Sequence, residues 1–387
     1  MSDRLVYLAP DLPGIPENLM LARDQGKVLF LTGAGVSTPA PSSLPDFRGL
    51  VIDIYARLDG VLADAMRAFA DASRAAHGAA IDWRPFAAAL TPGQATELKV
   101  FARGEYDVVL GMLEQRIAGG MRTTAQEVLH AAHVPNTLHR SLNVLARRFG
   151  DPLLVTTNFD ELHERAAGRT RPRAFDLGGL PRPSRQADFH GVIHLHGRLG
   201  SDIALTDQDL GDLYLRRRIA SDFIYDAIRI FRLVIIGYSL NDAPFRYLLN
   251  AVAGDTRHFG DLKDRYAFIP RTGDDPTLAL EWAARSITPI SYDSADGHRA
   301  LQRVLAAWAE SVPTDEDVWA RRRLRAMCRI AHDEASEADR SVFGYVLRRS
   351  GRDHRAALIS YIGGELRAGP DWLTAANAVV RELEDGR

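Results

Sequence analysis

Four polar clusters in this 387-residue chain each follow a short, β-branched apolar run. The first is Thr32-Gly33-Ala34-Gly35-Val36-Ser37, with Leu44-Pro45-Asp46-Phe47-Arg48-Gly49 a few residues on. The second is Thr156-Thr157-Asn158-Phe159-Asp160-Glu161-Leu162-His163-Glu164-Arg165-Ala166, the third His194-Leu195-His196-Gly197, the fourth Gly237-Tyr238-Ser239-Leu240-Asn241-Asp242. Glycines at a strand-to-helix turn let the backbone come close to a pyrophosphate, whose charge then rests on helix N-terminal amides. The third glycine of G-x-G-x-x-G is absent, so the first turn taken alone reads as a nucleotide loop or as an ordinary tight turn. All four clusters stand where an apolar run ends, and an open α/β sheet binds its ligands at the carboxyl ends of its strands. Their convergence on one edge, more than any single motif, points to a binding site.

The runs that must position these clusters are Val28–Thr32, Leu153–Thr156, Val192–Leu195 and Leu233–Ile236, joined by Tyr266–Ile269 and Thr288–Tyr292. Apolar nearly throughout and separated by amphipathic stretches, they predict an α/β fold with a parallel sheet and helices on both faces. Leu50 to Phe149 is rich in Ala, Leu and Arg at helical spacing, with breaks at Gly60, His77-Gly78, Thr91-Pro92-Gly93 and Gly119-Gly120, and reads as a helical insertion over 50–149. A helix over about Asp296 to Ala309 closes a first domain, 1–310. Ser311-Val312-Pro313-Thr314 then breaks the chain. Thr314-Asp315-Glu316-Asp317 opens a helical C-terminal appendage over 311–387, with breaks near Gly351, Gly363-Gly364 and Gly369-Pro370.

Lys and Arg total 48 against 50 Asp and Glu, a balance that exerts no strong pull toward nucleic acid or an anionic membrane. Arg216-Arg217-Arg218 and Arg321-Arg322-Arg323 read as solvated helix faces or subunit contacts, so direct nucleic-acid binding is not expected. Hydrophobic residues at 46% and charged residues at 25% exclude disorder as the dominant state. The single cysteine, Cys328, rules out an intrachain disulfide and any zinc site built on two or more thiolates. The N-terminus lacks a signal-peptide pattern and the apolar runs are strand-sized, so a cytoplasmic protein without a membrane span is expected. His190, His194 and His196 raise a metal reading, because residues 194 and 196 share one strand face, with Asp188 the nearest acid. His196 has a better-ordered explanation below, and no metal is expected.

These motifs resemble those of the sirtuin superfamily. Gly33-Ala34-Gly35-Val36-Ser37 with Pro45-Asp46-Phe47-Arg48 is similar to that family's GAG-x-S and PDFR signature. Asn158-Phe159-Asp160-Glu161-Leu162-His163 is similar to its N-x-D-x-L-H segment, His196-Gly197 to its catalytic HG, and Gly237-Tyr238-Ser239-Leu240 to its GTS-like loop. The resemblance implies a Rossmann-like domain that takes NAD as substrate and cleaves the nicotinamide–ribose bond. It places Gly33, Ala34, Gly35, Ser37, Asp46, Phe47, Arg48, Thr157, Gly237 and Ser239 around the dinucleotide, and His196, Asn158 and Asp160 at the reacting bond. Sirtuin deacylases carry a four-cysteine zinc module between the HG and GTS segments, and here Arg198 to Ile236 holds no cysteine. Thr157 replaces the usual Gln, PDFR comes two residues late, and extra sequence around Gly168 to Asp188 separates Asn158 from His196. An acyl-lysine cleft needs the zinc module as one wall. The pattern is more similar to the zinc-free sirtuin-like NADases of bacterial anti-phage defence, which carry helical extensions.

Nicotinamide leaves C1′ through an oxocarbenium-like transition state, so a site must hold the carboxamide and shelter the cation. Asn158 and Asp160 are suited to hydrogen-bond the carboxamide or order a water. His196 is suited to act as general base toward a ribose hydroxyl or the attacking water, because an unperturbed imidazole titrates near working pH. Structural readings of the same residues stay open: His196 as a satisfied core histidine, Asn158 as a left-handed turn residue, Asp46 and Arg48 as a loop cap and pair, Ser239 as a helix cap. With water as acceptor the products are nicotinamide and ADP-ribose. The rival functions are a zinc-free deacylase, an ADP-ribosyltransferase and a non-catalytic sensor of NAD or ADP-ribose. NAD depletion must be gated if the cell is to live. Homo-oligomer packing or a separately encoded partner such as a HerA-type ATPase is expected to act through the insertion or the tail. Its target would be the loop Thr38–Leu44, whose Pro39, Pro41, Ser42 and Ser43 fit a mobile lid.

Overall fold

A computed structural model of the chain describes residues 4–76, 80–117, 119–130, 134–148, 150–168, 170–185, 189–239, 247, 249, 262–271, 273–312 and 315–385. His77-Gly78, Phe149, Asp188, Leu240-Asn241-Asp242 and Pro313-Thr314, named above, lie outside the described residues. The chain forms two compact units, Leu29–Arg265 and Met1–Val28 with Tyr266–Arg387.

The larger unit carries strands β1 (Val28–Thr32), β2 (Asp151–Thr156), β3 (Ala174–Phe175), β4 (Gly191–His194) and β5 (Arg232–Ile236), in the spatial order β5-β1-β2-β4-β3. Strand β1 pairs in parallel with β2, and β4 in parallel with both β2 and β3. Every residue of β1 and of β4 is buried, as the unbroken apolar runs require of strands covered on both faces. The smaller unit adds the parallel pair β6 (Arg265–Arg271) and β7 (Thr288–Asp293). The sequence reading of an α/β, Rossmann-like parallel sheet with helices therefore holds, and all six of its strands match within two residues at each end. Strand β3 escapes it because Ala174-Phe175 has no apolar run around it.

Register explains why the clusters meet. Thr32 pairs with Thr156, and Thr156 with His194, so β1, β2 and β4 end level and their following residues emerge side by side. The chain then leaves β1 toward β2 on one side and returns to β5 on the other, which makes the carboxyl end of β1 the switch point of the sheet.

Between β1 and β2 the chain forms helices Phe47–Leu58, Gly60–Ala75, Pro92–Ala102, Tyr106–Arg116, Met121–Leu129 and Thr137–Leu145. The breaks read from the sequence fall at their ends: Asp59 caps at Gly60, Thr91 forms a capping box before Pro92, and Gly120 takes φ +90 before Met121. These helices bury Leu50, Tyr55, Met66, Phe101 and Leu110 in one core with Phe159 and Leu162, which come from the segment after β2. The helical insertion thus supports the site from behind. In the smaller unit, helices Arg299–Glu310, Glu316–Met327, Glu337–Arg349, Arg352–Gly364 and Pro370–Asp385 bury Trp308, Phe343 and Trp372. Tyr345 donates to Asp24 at 2.8 Å and Arg348 to Glu17 at 2.7 Å, tying that bundle to the first helix, Glu17–Asp24. Among the described residues no helix is long and apolar enough to cross a membrane.

Candidate functional site

The turn after β1 is a packed seam. Gly33 N donates to Ile236 O and Gly35 N to Gly237 O, both at 3.0 Å. A Cβ on Gly33 would stand 2.7 Å from the Tyr238 ring, and one on Gly237, at φ +77, would stand 2.8 Å from Val36 N. These glycines let the ends of β1 and β5 touch backbone to backbone. The amides of Gly33 and Gly35 are engaged by protein. Ala34 and Ser37 are what the turn presents outward.

Beside them opens a cleft. Its polar wall brings together Ser37, Asp46, Thr157, Asn158, Asp160 and His196, and its apolar wall Leu44, Phe47, Leu50, Leu129 and Phe159. Gly33, Gly35, Arg48, Gly237 and Ser239, also singled out from the sequence, do not line it. Asp46 has a structural task as well, since its Oδ1 accepts from Gly49 N at 2.7 Å and caps helix Phe47–Leu58. The loop Thr38–Leu44, expected as a mobile lid, is pinned. Ser42 is fully buried and donates to Val134 O at 2.9 Å, Leu44 N donates to Ser37 O, and Asn136 Nδ2 donates to Pro39 O.

Asn158 is held in one orientation. Its Nδ2 donates to Gly33 O at 3.2 Å and to Ser37 Oγ at 3.1 Å, and because a carbonyl only accepts, the amide nitrogen must face Gly33. That leaves Asn158 Oδ1, which has no partner among the described residues, as the acceptor this side chain brings to the cleft. Ser37 passes its own proton to Asp160 Oδ2 at 2.8 Å, and Leu162 N donates to Asp160 Oδ1 at 3.0 Å. Burial raises the Asp160 pKa against those hydrogen bonds. His139, on helix Thr137–Leu145, adds a contact to Ser37 Oγ at 3.2 Å.

His196 sits just past β4, 2% exposed, with Nε2 2.8 Å from the Tyr214 hydroxyl. Tyr214 lies on a single π-helical turn, Asp212–Arg216, a geometry enriched at functional sites. Burial lowers the pKa of His196 to about 3 and that of His139 to about 3, and pushes His163 well below its ordinary value. Burial thus moves the His196 pKa below that of an unperturbed imidazole and away from working pH. The unfolded chain protonates these three rings near pH 6.5 while the folded chain resists, so they remove stability as pH falls from 6.5. His194 acts in the opposite sense, its pKa being raised, but is one ring against three. The thermal midpoint is expected to fall between pH 7 and pH 5, above the range in which most carboxylates titrate, and a flat midpoint over that window would contradict the burial argument.

Sequence reasoning missed His139, Tyr214 and Glu164. No spacing signal marks them, since each reaches the site from a separate helical element. His190, His194 and His196 have three different partners, Asp151, Glu164 and Tyr214. No group of three or more His, Cys, Asp or Glu among the described residues is arranged to hold a metal ion.

Residues 152–290 match the family model described as a SIR2-like domain. SIR2-like domains use NAD, and the matched segment contains Asn158, Asp160, His194, His196 and Tyr214, while Ser37, Asp46 and His139 lie outside it. Over 318 residues the chain is also 34% identical to an uncharacterized protein, y4cA, of Sinorhizobium fredii. The aligned part is 76% of this chain and 23% of that protein, so the chain spans less than a quarter of that relative.

Proposed function

We propose that this chain hydrolyses NAD to nicotinamide and ADP-ribose, as a regulated effector of bacterial anti-phage defence that acts by NAD depletion. The observation that supports the reaction is the meeting of Asn158 Oδ1 and the His196 ring in one cleft at the carboxyl ends of β1, β2 and β4. Asn158 Oδ1 can accept from a carboxamide or a ribose hydroxyl. Leu44, Phe47, Leu129 and Phe159 give a flat apolar wall suited to a nicotinamide ring. A polar edge opposite an apolar wall fits the reacting half of NAD.

In the proposed reaction the C1′–N bond breaks, nicotinamide keeps the bonding electrons, and water oxygen bonds to C1′. His196 accepts the proton the water sheds. A weakly basic, neutral ring suffices for that step, because water bound to a cationic carbon is already strongly acidic. The defence role and gating by homo-oligomer packing or a HerA-type ATPase are supported by the motif resemblance set out above. That y4cA extends far beyond the aligned region agrees with control from outside the SIR2-like segment.

The test is purified chain with NAD, alone and with the candidate ATPase, followed by chromatography of nicotinamide and ADP-ribose. Equimolar release of both is expected. An acylated ADP-ribose formed from acetylated peptide faster than plain hydrolysis would establish a deacylase instead. Label transferred from NAD to protein would mark a transferase, and binding without turnover under both conditions a sensor.

A further inference from the structure

His194 closes β4 and is fully buried, with both ring nitrogens engaged. Nδ1 lies 2.9 Å from the backbone oxygen of Asn158, and Nε2 lies 2.7 Å from Glu164 Oε1. A carbonyl oxygen can only accept, so Nδ1 carries a proton, and with Glu164 as a carboxylate Nε2 carries a second proton and donates it in a hydrogen bond. The ring is thus an imidazolium between two acceptors. Glu164 sits on the short helix Leu162–Ala166, whose first amide is held by Asp160. The ring therefore spans the Asn158 turn, from the main chain of Asn158 at its start to the helix that ends it.

We propose that His194, charged and clamped by Glu164, is a positioning residue that fixes the Asn158 carbonyl and so sets where Asn158 Oδ1 stands in the cleft. The proposal rests on the NAD-cleavage reading for its kinetic consequence, and on the two acceptors around the ring for the charge. Groups facing the ring agree with it. Asp160 adds attraction from the turn itself, while His163 on helix Leu162–Ala166 is held well below its ordinary pKa by burial and does not compete. Burial opposes the charge, but the hydrogen bond and attraction of Glu164 outweigh it and raise the His194 pKa. Glu164 Oε2 is buried with no hydrogen-bond partner among the described residues, so the His194 ring is where this carboxyl group makes its contact.

A raised pKa gives stability that is complete below the unfolded value of 6.5 and lost as pH rises through the folded value. The clamp should therefore fail on the alkaline side. Glu164→Gln keeps the shape and removes the charge. His194→Gln removes the ring. The experiment measures nitrogen-15 shifts of the histidine rings in the full chain, NAD kinetics across pH, NAD affinity and the thermal midpoint. Expected are a His194 ring protonated on both nitrogens at neutral pH, and in Glu164→Gln a kcat lowered on the order of tenfold or more with KM little changed. The alkaline limb of the Glu164→Gln profile should also move to lower pH.

A singly protonated His194 at pH 7 would overturn the proposal. So would a Glu164→Gln variant that loses thermal stability but keeps kcat and its pH profile, since that is a purely structural pair. If the parent chain binds NAD without turning it over, the hydrolase reading fails separately. The nitrogen-15 shifts then decide, with a His194 ring protonated on both nitrogens supporting the clamp and a singly protonated ring overturning it.

Discussion

His196→Ala is expected to lower NAD turnover by roughly 10²–10⁴-fold, the usual contribution of a positioned general base, while NAD still binds. Binding should survive because the apolar wall and Asn158 Oδ1 do not depend on His196. The variant also orphans the Tyr214 hydroxyl, which is 3% exposed and bonded to His196 Nε2, at a cost of about 1–3 kcal/mol. A fall in activity could then be blamed on folding. The double variant His196→Ala with Tyr214→Phe separates the two, since it removes both partners of the hydrogen bond and should recover much of the stability while staying inactive. Tyr214→Phe alone keeps both ring nitrogens and should lose much less activity than His196→Ala. Turnover measured by nicotinamide release, beside thermal midpoints for all three, checks this. Substantial turnover in the double variant would remove His196 from the reaction.

The sheet was readable in the sequence because buried parallel strands are apolar nearly throughout, and all six runs chosen on that ground are strands within two residues of their expected ends. Ser37, Asn158, Asp160 and His196 were readable for a related reason. Each follows a strand, and register brings strand ends level. The supporting residues were not readable, since their meaning exists only across the fold. Glu164 and His194 are thirty residues apart and become a pair when the helix after β2 lies beside β4. His139 belongs to a capping box at the start of its helix, which hides its contact with Ser37. The glycine turn is ambiguous for a physical reason: close approach to a pyrophosphate and close approach to a neighbouring strand end make the same demand on a side chain, that it be absent. The pKa of His196 was equally illegible, because burial and not residue type sets it.

Gly197, the second residue of the His196-Gly197 pair, shows why that motif needs glycine apart from any chemistry. It takes φ +86, and a Cβ there would lie 1.8 Å from the backbone oxygen of Asp202. The chain doubles back at this point, with Gly197 bridged to Ile203 and Ala204 N donating to His196 O at 2.8 Å. A backbone oxygen in such a bridge cannot rotate aside as a side chain would. Gly197→Ala therefore combines left-handed strain of about 1–3 kcal/mol with a forced displacement of the segment that carries His196. A total loss of about 3 kcal/mol or more is expected, or roughly 6–12 °C in the midpoint of a unit this size, with NAD turnover lost as well. Gly200→Ala is the matched comparison. Gly200 has φ +80, nearly the same backbone, but nothing within 4 Å of an added Cβ. It carries the strain without the collision and should lose only the smaller part of the stability and keep turnover. Equal losses in the two variants would show that backbone strain alone explains the glycine, and that the close return of the chain onto Gly197 does not govern where His196 stands.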